Sequence, residues 1–145
     1  MPIVQFHLVS SAYPEAAIDT LLVEASHAFA AALYPELTSV PVERVRAIVC
    51  DIAPRRCAVG GKLVSDGAVP APFFTCLTLV GRPRAQLDAM MQGLTELVAR
   101  HLGCERKLVR GLIIPVEADD WYIAGEPASA SRAAELAQRR ATGQK

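Results

Sequence analysis

Pro2 is the residue with the most direct chemical potential, because it follows the initiator methionine. A small second residue permits removal of Met1, which would leave proline at the N-terminus with a free secondary amine. An ordinary α-amino group has a pKa of about 7.7–8.0, and burial or a neighbouring arginine would lower it. An amine that is neutral at pH 7 can take up and return a proton or attack a carbonyl carbon. The sequence therefore predicts proton transfer at Pro2.

Arginines supply the second kind of chemistry, since the guanidinium is a planar fork of donors that matches a carboxylate. Arg82 and Arg84 stand at a predicted junction between a strand and a helix, and Arg46 and Arg110 stand in strands that are otherwise apolar. The alternative for each of these four arginines is a position in solvent, outside any site. Trp121, the single tryptophan, fits either a core position or the apolar wall of a site. The pattern favours an anionic substrate beside an apolar surface.

Metal, nucleotide and polyanion chemistry are not indicated. No cluster of histidine, cysteine, aspartate or glutamate has the spacing of a metal site, and no glycine-rich loop leads from a strand into a helix. Fifteen basic residues balance fifteen acidic ones, which excludes a polybasic tail for nucleic acid or a membrane surface. No apolar run approaches the roughly 18 residues of a membrane span. We therefore expect no cofactor, no nucleic-acid partner and no membrane partner.

Size and cysteine usage indicate one compact domain in the cytoplasm. The chain has 145 residues, of which 52% are hydrophobic, so it can form one domain with a core. Its first residues, MPIVQFHLV, lack the basic region and cleavage site of a signal peptide. Free thiols in a reducing cytosol are expected, because no CxxC spacing occurs among Cys50, Cys57, Cys76 and Cys104.

Four strands and two helices are predicted to position these residues. A three-four spacing of apolar residues predicts helices within residues 18–33 and 87–102, with Gly103 as the stop of the second. Each helix is long enough to connect two parallel strands. An alanine-rich tail over residues 130–145 is expected to contain a short helix. Apolar and β-branched runs predict strands over residues 3–9, 45–52, 73–80 and 108–116.

The two halves align as an internal repeat. Arg46 matches Arg110 at an offset of 64 (110 − 46), and Pro2 matches Pro72 at an offset of 70 (72 − 2). The difference fits a longer connection between helix and strand in the first half, around residues 34–41. We predict an α/β (α+β) fold, in which a duplicated β-α-β unit gives a four-stranded mixed sheet with two helices on one face.

This architecture sets the expected domain organisation. The two repeats, about 1–65 and 72–129, would form a single domain over residues 1–129, with the tail beyond it. Helices on one face leave the other face of the sheet bare, and an apolar bare face indicates an oligomer.

Four motifs of this sequence stand in a characteristic order and spacing. They are an N-terminal proline with a short strand, a Gly-Arg pair that opens a helix, a Pro-x-x-x-Val-Arg strand and a Gly-Gly hairpin, found here as Pro2–Leu8, Gly81-Arg82, Pro41–Arg46 and Val59–Ser65. Together they resemble the tautomerase superfamily, and specifically 4-oxalocrotonate tautomerase fused head to tail. The run Arg82-Pro83-Arg84 also resembles the Arg-Pro-Arg of malonate semialdehyde decarboxylase, a fused member.

The resemblance implies a role for each candidate residue. Pro2 would be the general base or acid, Arg82 would hold a substrate carboxylate, and Arg46 would steady the developing enolate oxygen. Arg110, Arg84 and Trp121 complete the predicted substrate-binding set, with Arg110 as the second-half counterpart of Arg46 and Trp121 as an aromatic wall.

The halves differ at the same positions. Ala12 stands where the first half would carry the loop arginine, Cys57 takes the place of Trp121, and Pro72 is internal and has no free amine. One working site per chain is therefore expected. The resemblance also implies a homotrimer.

We predict a cofactor-independent tautomerase that moves a proton on a small keto or enol carboxylic acid. The alternative on the same scaffold is decarboxylation, hydration or dehalogenation of a three-carbon oxo or halo acid. The position where the decarboxylase branch carries an acidic residue is Arg44 here, with Glu43 beside it. A second alternative is a module that binds a small ligand without catalysis, since fold does not determine function.

Overall fold

The computed structural model describes residues 2–134 and residue 137. Its elements follow the predicted order, and each predicted strand lies within two residues of the observed one at either end. Each half also ends in a two-stranded hairpin, and a third, short helix follows the second hairpin. The elements are β1 (Ile3–Leu8), α1 (Glu15–Leu33), β2 (Arg46–Asp51), β3 (Ala58–Val59), β4 (Lys62–Leu63), β5 (Phe73–Leu79), α2 (Arg84–Leu102), β6 (Arg110–Val116), β7 (Tyr122–Ile123), β8 (Glu126–Pro127) and α3 (Ala128–Ser131).

The main sheet is mixed and has the strand order β2-β1-β5-β6. Strand β1 pairs with β2 in parallel, and β5 pairs with β6 in parallel. The two central strands, β1 and β5, run antiparallel, with Ile3 opposite Leu77 and His7 opposite Phe73. The predicted four-stranded mixed sheet is confirmed, and the two halves of the chain run in opposite directions within it.

Both long helices cover the same face of this sheet. Val4, Phe6 and Leu8 alternate along β1 and are at most 1% exposed, as a strand with one buried face requires. They join a single core cluster with the apolar stripes of α1 and α2, which also pack against each other. The prediction of two helices on one face is therefore confirmed.

Helix α1 is long and apolar enough, by length and composition, to cross a membrane. Its apolar stripe is accounted for by packing, since it faces the sheet and α2 at buried positions spaced three and four residues apart. These positions are Ile18, Leu21, Ala25, Phe29, Ala30 and Leu33.

The repeat predicted from the sequence is visible in the backbone. The hairpin β3–β4 (residues 58–63) recurs as β7–β8 (residues 122–127) at the offset of 64. At the start of each half, the amide of Arg46 donates to the carbonyl of Pro2 (3.1 Å), and the amide of Arg110 donates to the carbonyl of Pro72 (3.0 Å). The duplicated β-α-β unit is therefore confirmed.

The change in offset from 70 to 64 arises in the connection between the helix and the second strand of each half. The segment from the end of α1 at Leu33 to β2 at Arg46 is longer than the segment from Leu102 to Arg110. Gly103 ends α2 with φ +61°, the left-handed conformation that favours glycine. The tail prediction falls largely on residues 135–136 and 138–145, which lie outside the described residues.

The face of the sheet that the helices leave uncovered carries exposed apolar side chains. Ile48 on β2 is 42% exposed, and Leu112 and Ile114 on β6 are 49% and 36% exposed. Side chains at alternate positions of a strand share one face, so Leu112 and Ile114 lie together on β6. An apolar face of this kind indicates a contact surface for other copies or partners.

Gly111 is required by a close approach between β6 and the core. A Cβ atom at this position would lie 2.7 Å from Cζ of Phe74 and 2.5 Å from Cε of Met91. Phe74 is fully buried and its ring is rigid, so the backbone or the ring would have to move. We expect Gly111→Ala to lower the free energy of unfolding by about 1–3 kcal/mol, measured by urea denaturation at fixed protein concentration.

Gly93 on α2 is the matched control, because a Cβ atom added there would have no atom within 4 Å apart from its chain neighbours and the backbone of its own helix. At this position Gly→Ala should stabilise the helix by roughly 0.5–1 kcal/mol. Equal effects of the two substitutions would contradict the steric explanation for Gly111.

Glu24 links the two long helices through an ion cluster. Its Oε2 lies 2.9 Å from Nε2 of His101 and 2.5 Å from Nη2 of Arg100. The hydrogen bond with His101 is the main cause that holds the pKa of Glu24 below its ordinary 4.5. A depressed carboxyl pKa contributes stability above the unfolded value and loses it as the pH falls through the folded one.

We therefore expect Glu24→Gln to unfold at a slightly lower urea concentration than the wild type at pH 7. The difference should begin to shrink as the pH falls past 4.5, the ordinary pKa of this carboxyl, and should vanish below its lowered pKa in the folded protein. Asp19→Asn, on an exposed position of the same helix, is the control. A difference that persists at pH 3 would contradict this explanation.

Candidate functional site

The strand directions bring four of the predicted residues to one edge of the sheet, here called the Pro2 edge. Pro2 precedes β1 and Arg46 begins the parallel strand β2, so both lie at this edge. Strand β5 is antiparallel to β1 and therefore ends here, followed by Arg82. Strand β6 ends here too, since the amide of Val80 donates to the carbonyl of Val116 (3.0 Å), and Trp121 follows it.

Pro2 is buried at this edge. Its carbonyl accepts the amide of Arg46, which ties the residue before β1 to the first residue of β2. The nitrogen of Pro2 is thus held by a paired strand instead of lying on a loose terminus. This placement is what a fixed proton carrier requires.

Arg82 reaches from the end of β5 to the end of helix α1. Its Nη1 donates to the carbonyl of Leu33 at 2.5 Å, and its guanidinium carbon lies 5.4 Å from the centre of the Tyr34 ring. A cation is favoured at a helix C-terminus, where carbonyl groups lack helical partners, and over an aromatic ring within about 6 Å. The guanidinium is half-buried and held in one place.

Tyr34 and Arg44 belong to this cluster, and reasoning from the sequence did not include either of them in the site. The guanidinium carbon of Arg44 lies 5.7 Å from the Tyr34 ring centre, so two guanidiniums approach one buried ring. Arg44 also lines a cavity of about 350 Å³ together with Ile123 of β7 and Arg132. Pro2 is not among the described residues that line this cavity. The signals in the sequence were the position of Arg44 two residues before Arg46 and its match to the acidic position of the decarboxylase branch.

Arg46 and Arg110 adopt the same conformation at opposite edges. Nη1 of Arg46 donates to the carbonyls of Glu43 and Val45, both at 2.9 Å. Nη1 of Arg110 donates to the corresponding carbonyls of Lys107 and Val109, at 2.5 and 3.1 Å. Both arginines are exposed. Within one chain, Arg110 lies beside Pro72 and not beside Pro2.

Arg84 and Trp121 have different surroundings from Arg82. Arg84 is the first residue of α2, its side chain is 80% exposed, and its Nε lies 2.9 Å from Oδ1 of Asp88. It borders a shallow groove against β6 that also includes Gly111. Trp121 is half-buried, and its carbonyl accepts the amide of Ala128 at 2.7 Å. Of the four arginines predicted to gather near Pro2, a single chain brings Arg46 and Arg82 to its edge and adds Arg44.

The described part of the chain contains no group of three histidine, cysteine, aspartate or glutamate side chains that could hold a metal ion. The Pro2 edge instead combines the buried residue Pro2 with arginine side chains that follow or begin the neighbouring strands. Guanidiniums in such a place can bind a small anion and stabilise negative charge that develops on it.

Solved structures resemble this chain over nearly its whole length. A native fused 4-OT has a TM-score of 0.78 and 23% identity, with 88% of this chain and 97% of that chain covered. A symmetric trimer of a wild-type fused 4-OT has a TM-score of 0.72 and 25% identity, with 89% and 98% covered. Pt0534, in a form inactivated by 2-oxo-3-pentynoate, has a TM-score of 0.78 and 18% identity, with 89% and 98% covered.

No protein-family model matches the sequence, and no curated protein matches it. The likeness to the solved structures is one of fold, because none of the identities exceeds 25%. The resemblance predicted from the motifs is confirmed at that level.

Proposed function

We propose that this chain, which has the fold of the tautomerase superfamily in its fused 4-OT form, is a cofactor-independent tautomerase. Pro2 would act as general base and acid on a small 2-keto or enol carboxylic acid. The observation that carries the proposal is the strand pairing that places buried Pro2, Arg46 and Arg82 at the same edge of the sheet.

The reaction would transfer one proton within the substrate. The neutral amine of Pro2 takes a proton from a carbon or an enol oxygen, which leaves an enolate. The same nitrogen, now a cation, returns the proton to another carbon or to the oxygen. Arg82 would hold the carboxylate with its fork of donors, and Arg46 would stabilise the enolate charge. Trp121 would exclude water from one side.

This mechanism requires removal of Met1, since a peptide-bonded proline has no basic nitrogen. An ordinary terminal amine has a pKa near 8, and a buried amine beside cations has a lower one. The burial of Pro2 therefore supports a base that is neutral at pH 7. The intact mass of the purified protein tests the first requirement directly.

A homotrimer in the cytoplasm completes the proposal. The exposed apolar residues on the uncovered face of the sheet, Ile48, Leu112 and Ile114, support burial between copies. A fused 4-OT of the same fold forms a symmetric trimer. The four cysteines are free, which fits a reducing compartment. Light scattering should give three times the chain mass, and a monomer would contradict the trimer.

The tautomerase reaction is preferred over decarboxylation, hydration or dehalogenation because of Arg44. Where the decarboxylase branch carries an acidic residue, this chain has the guanidinium of Arg44 packed against Tyr34. The neighbouring Glu43 is 75% exposed on its side chain and lies 3.9 Å from Arg44. An exposed carboxylate paired with Arg44 is a poor candidate for activating the water that hydration or hydrolytic dehalogenation requires.

Labelling with 2-oxo-3-pentynoate tests the proposed base, since this reagent inactivated a protein of the same fold. A secondary amine adds across the triple bond with no leaving group, so the chain should gain the full mass of one reagent molecule. Peptide mapping should place the adduct on Pro2. Labelling confined to cysteines, or none at pH 7, would overturn the proposal and favour a non-catalytic binding module.

A further inference from the structure

A second cavity lies at the opposite edge of the sheet, where Pro72 begins β5. Its volume is about 230 Å³, and its walls include the apolar side chains of Val9, Ile52 and Phe73. The repeat explains its position, because each edge collects the start of one half and the end of the other. Cys57 lines it at the position that corresponds to Trp121 of the Pro2 edge.

Two residues that line this cavity, His7 and Tyr13, each carry a polar atom that is buried without a hydrogen-bond partner among the described residues. The atoms are Nε2 of His7 and the hydroxyl oxygen of Tyr13. The His7 ring is held by stacking on Phe73, with 5.2 Å between ring centres. Buried polar atoms without partners are rare in native structures and indicate an unseen partner.

The Tyr13 hydroxyl remains a proton donor throughout the physiological pH range. Burial, followed by the nearby thiols of Cys104 and Cys57, raises its pKa to about 12. It can therefore donate to a carbonyl or hydroxyl oxygen, while His7 can donate or accept according to its tautomer.

Water alone accounts poorly for this cavity. A cavity of 230 Å³ has room for several waters, since each occupies about 30 Å³ in the liquid. Each buried water needs two to four polar partners, and most of the named wall is apolar. One organic molecule with an apolar body and a single polar group would match the wall better.

The charge of the lining distinguishes this cavity from the Pro2 edge. Ala12 stands where the other half has Arg82, and no lysine, arginine, aspartate or glutamate is among the described residues of the lining. The nitrogen of Pro72 lies in a peptide bond and cannot act as a base. A charged ligand would lose its hydration without a counter-ion.

We propose that the second cavity binds a small uncharged molecule with an apolar body and one carbonyl or hydroxyl group, held by Tyr13 and His7. The site would bind without catalysis, and it would do so independently of the chemistry at Pro2. The duplication has thus given two pockets of different charge preference.

Phenol is a suitable probe because it combines a small ring with one hydroxyl group. Calorimetric titration of the full chain should show saturable binding. Tyr13→Phe should weaken it about threefold to tenfold, as expected for one lost hydrogen bond, and Ala71→Leu, which fills the lining, should abolish it. Benzoate, the charged analogue, should fail to displace phenol. Tyr122→Phe, on an exposed hairpin position, should leave the dissociation constant unchanged.

The Tyr13→Phe variant also separates binding from structure. The Tyr13 hydroxyl of the wild type has no hydrogen-bond partner among the described residues, so its removal costs no hydrogen bond in the folded protein. The urea midpoint of the ligand-free variant should therefore equal or exceed that of the wild type. Absence of saturable phenol binding, or equal affinity in the wild type, Tyr13→Phe and Ala71→Leu, would overturn the proposal. A cavity filled by water or by a neighbouring chain would give the first of these results.

Discussion

Replacing Pro2 with alanine is expected to slow the ketonisation of 2-hydroxymuconate by at least about 100-fold, the lower range for loss of a positioned general base. Alanine at this position still permits removal of Met1, but its primary amine lacks the ring that fixes the proline nitrogen. Pro2 is buried and its carbonyl is bonded to Arg46, so the wild-type nitrogen has one position. The initial rate, measured by absorbance at saturating and limiting substrate, gives both kcat and kcat/KM.

The duplicated half offers a matched control for this experiment. Pro72 occupies the same place at the start of β5 and forms the same bond, to Arg110, but its nitrogen lies in a peptide bond. Pro72→Ala should retain the wild-type rate within about twofold. If Pro2→Ala also retains the wild-type rate, or if the active protein keeps Met1, the proposed base is wrong.

Replacing Arg82 with alanine should lower kcat/KM by about 10- to 100-fold, the loss expected for one hydrogen bond to a charged group. The guanidinium is held by the carbonyl of Leu33 and the ring of Tyr34, so it is oriented before substrate arrives. Arg82→Lys keeps the charge but not the fork of donors, and it should recover only part of the loss. Steady-state kinetics on phenylenolpyruvate measures both variants.

Arg82 also stabilises the end of α1, so a loss of activity could arise from a loss of structure. The urea midpoint of each variant at the assay temperature separates the two effects. Arg106→Ala is the control, because Arg106 is a surface residue paired with Glu96 at 3.6 Å. A variant Arg82→Ala that stays folded with unchanged kcat/KM would show that the carboxylate binds elsewhere.

Much of the fold could be predicted because its signals are local. The alternation in β1 and the three-four spacing in α1 depend on neighbours within a few residues, and both elements lie where they were predicted. The repeat could also be predicted, since its offsets of 64 and 70 come from insertions in the chain and reappear in the hairpins and strand starts.

The composition of the site was only partly predictable, because it depends on contacts between distant segments. Tyr34 and Arg44 lie near Arg82 only because the ends of α1 and β5 meet in space. Arg84 follows Arg82 by two residues, yet it pairs with Asp88 on the outer side of α2. Arg82 lies before helix α2 and Arg84 is its first residue, so nearness in sequence did not place Arg84 in the cluster.

By itself, the sequence determined the strands, the helices and the duplication, and it indicated Pro2 as the base that we propose. The tertiary structure decided which arginines share the Pro2 edge within one chain. Strands β1 and β5 pair antiparallel, so equivalent residues of the two halves lie at opposite edges of the sheet. This pairing places Arg46 and Arg82 with Pro2, and it places Arg110 with Pro72. The same reversal leaves a second, uncharged cavity where the sequence alone indicated only a lost catalytic site.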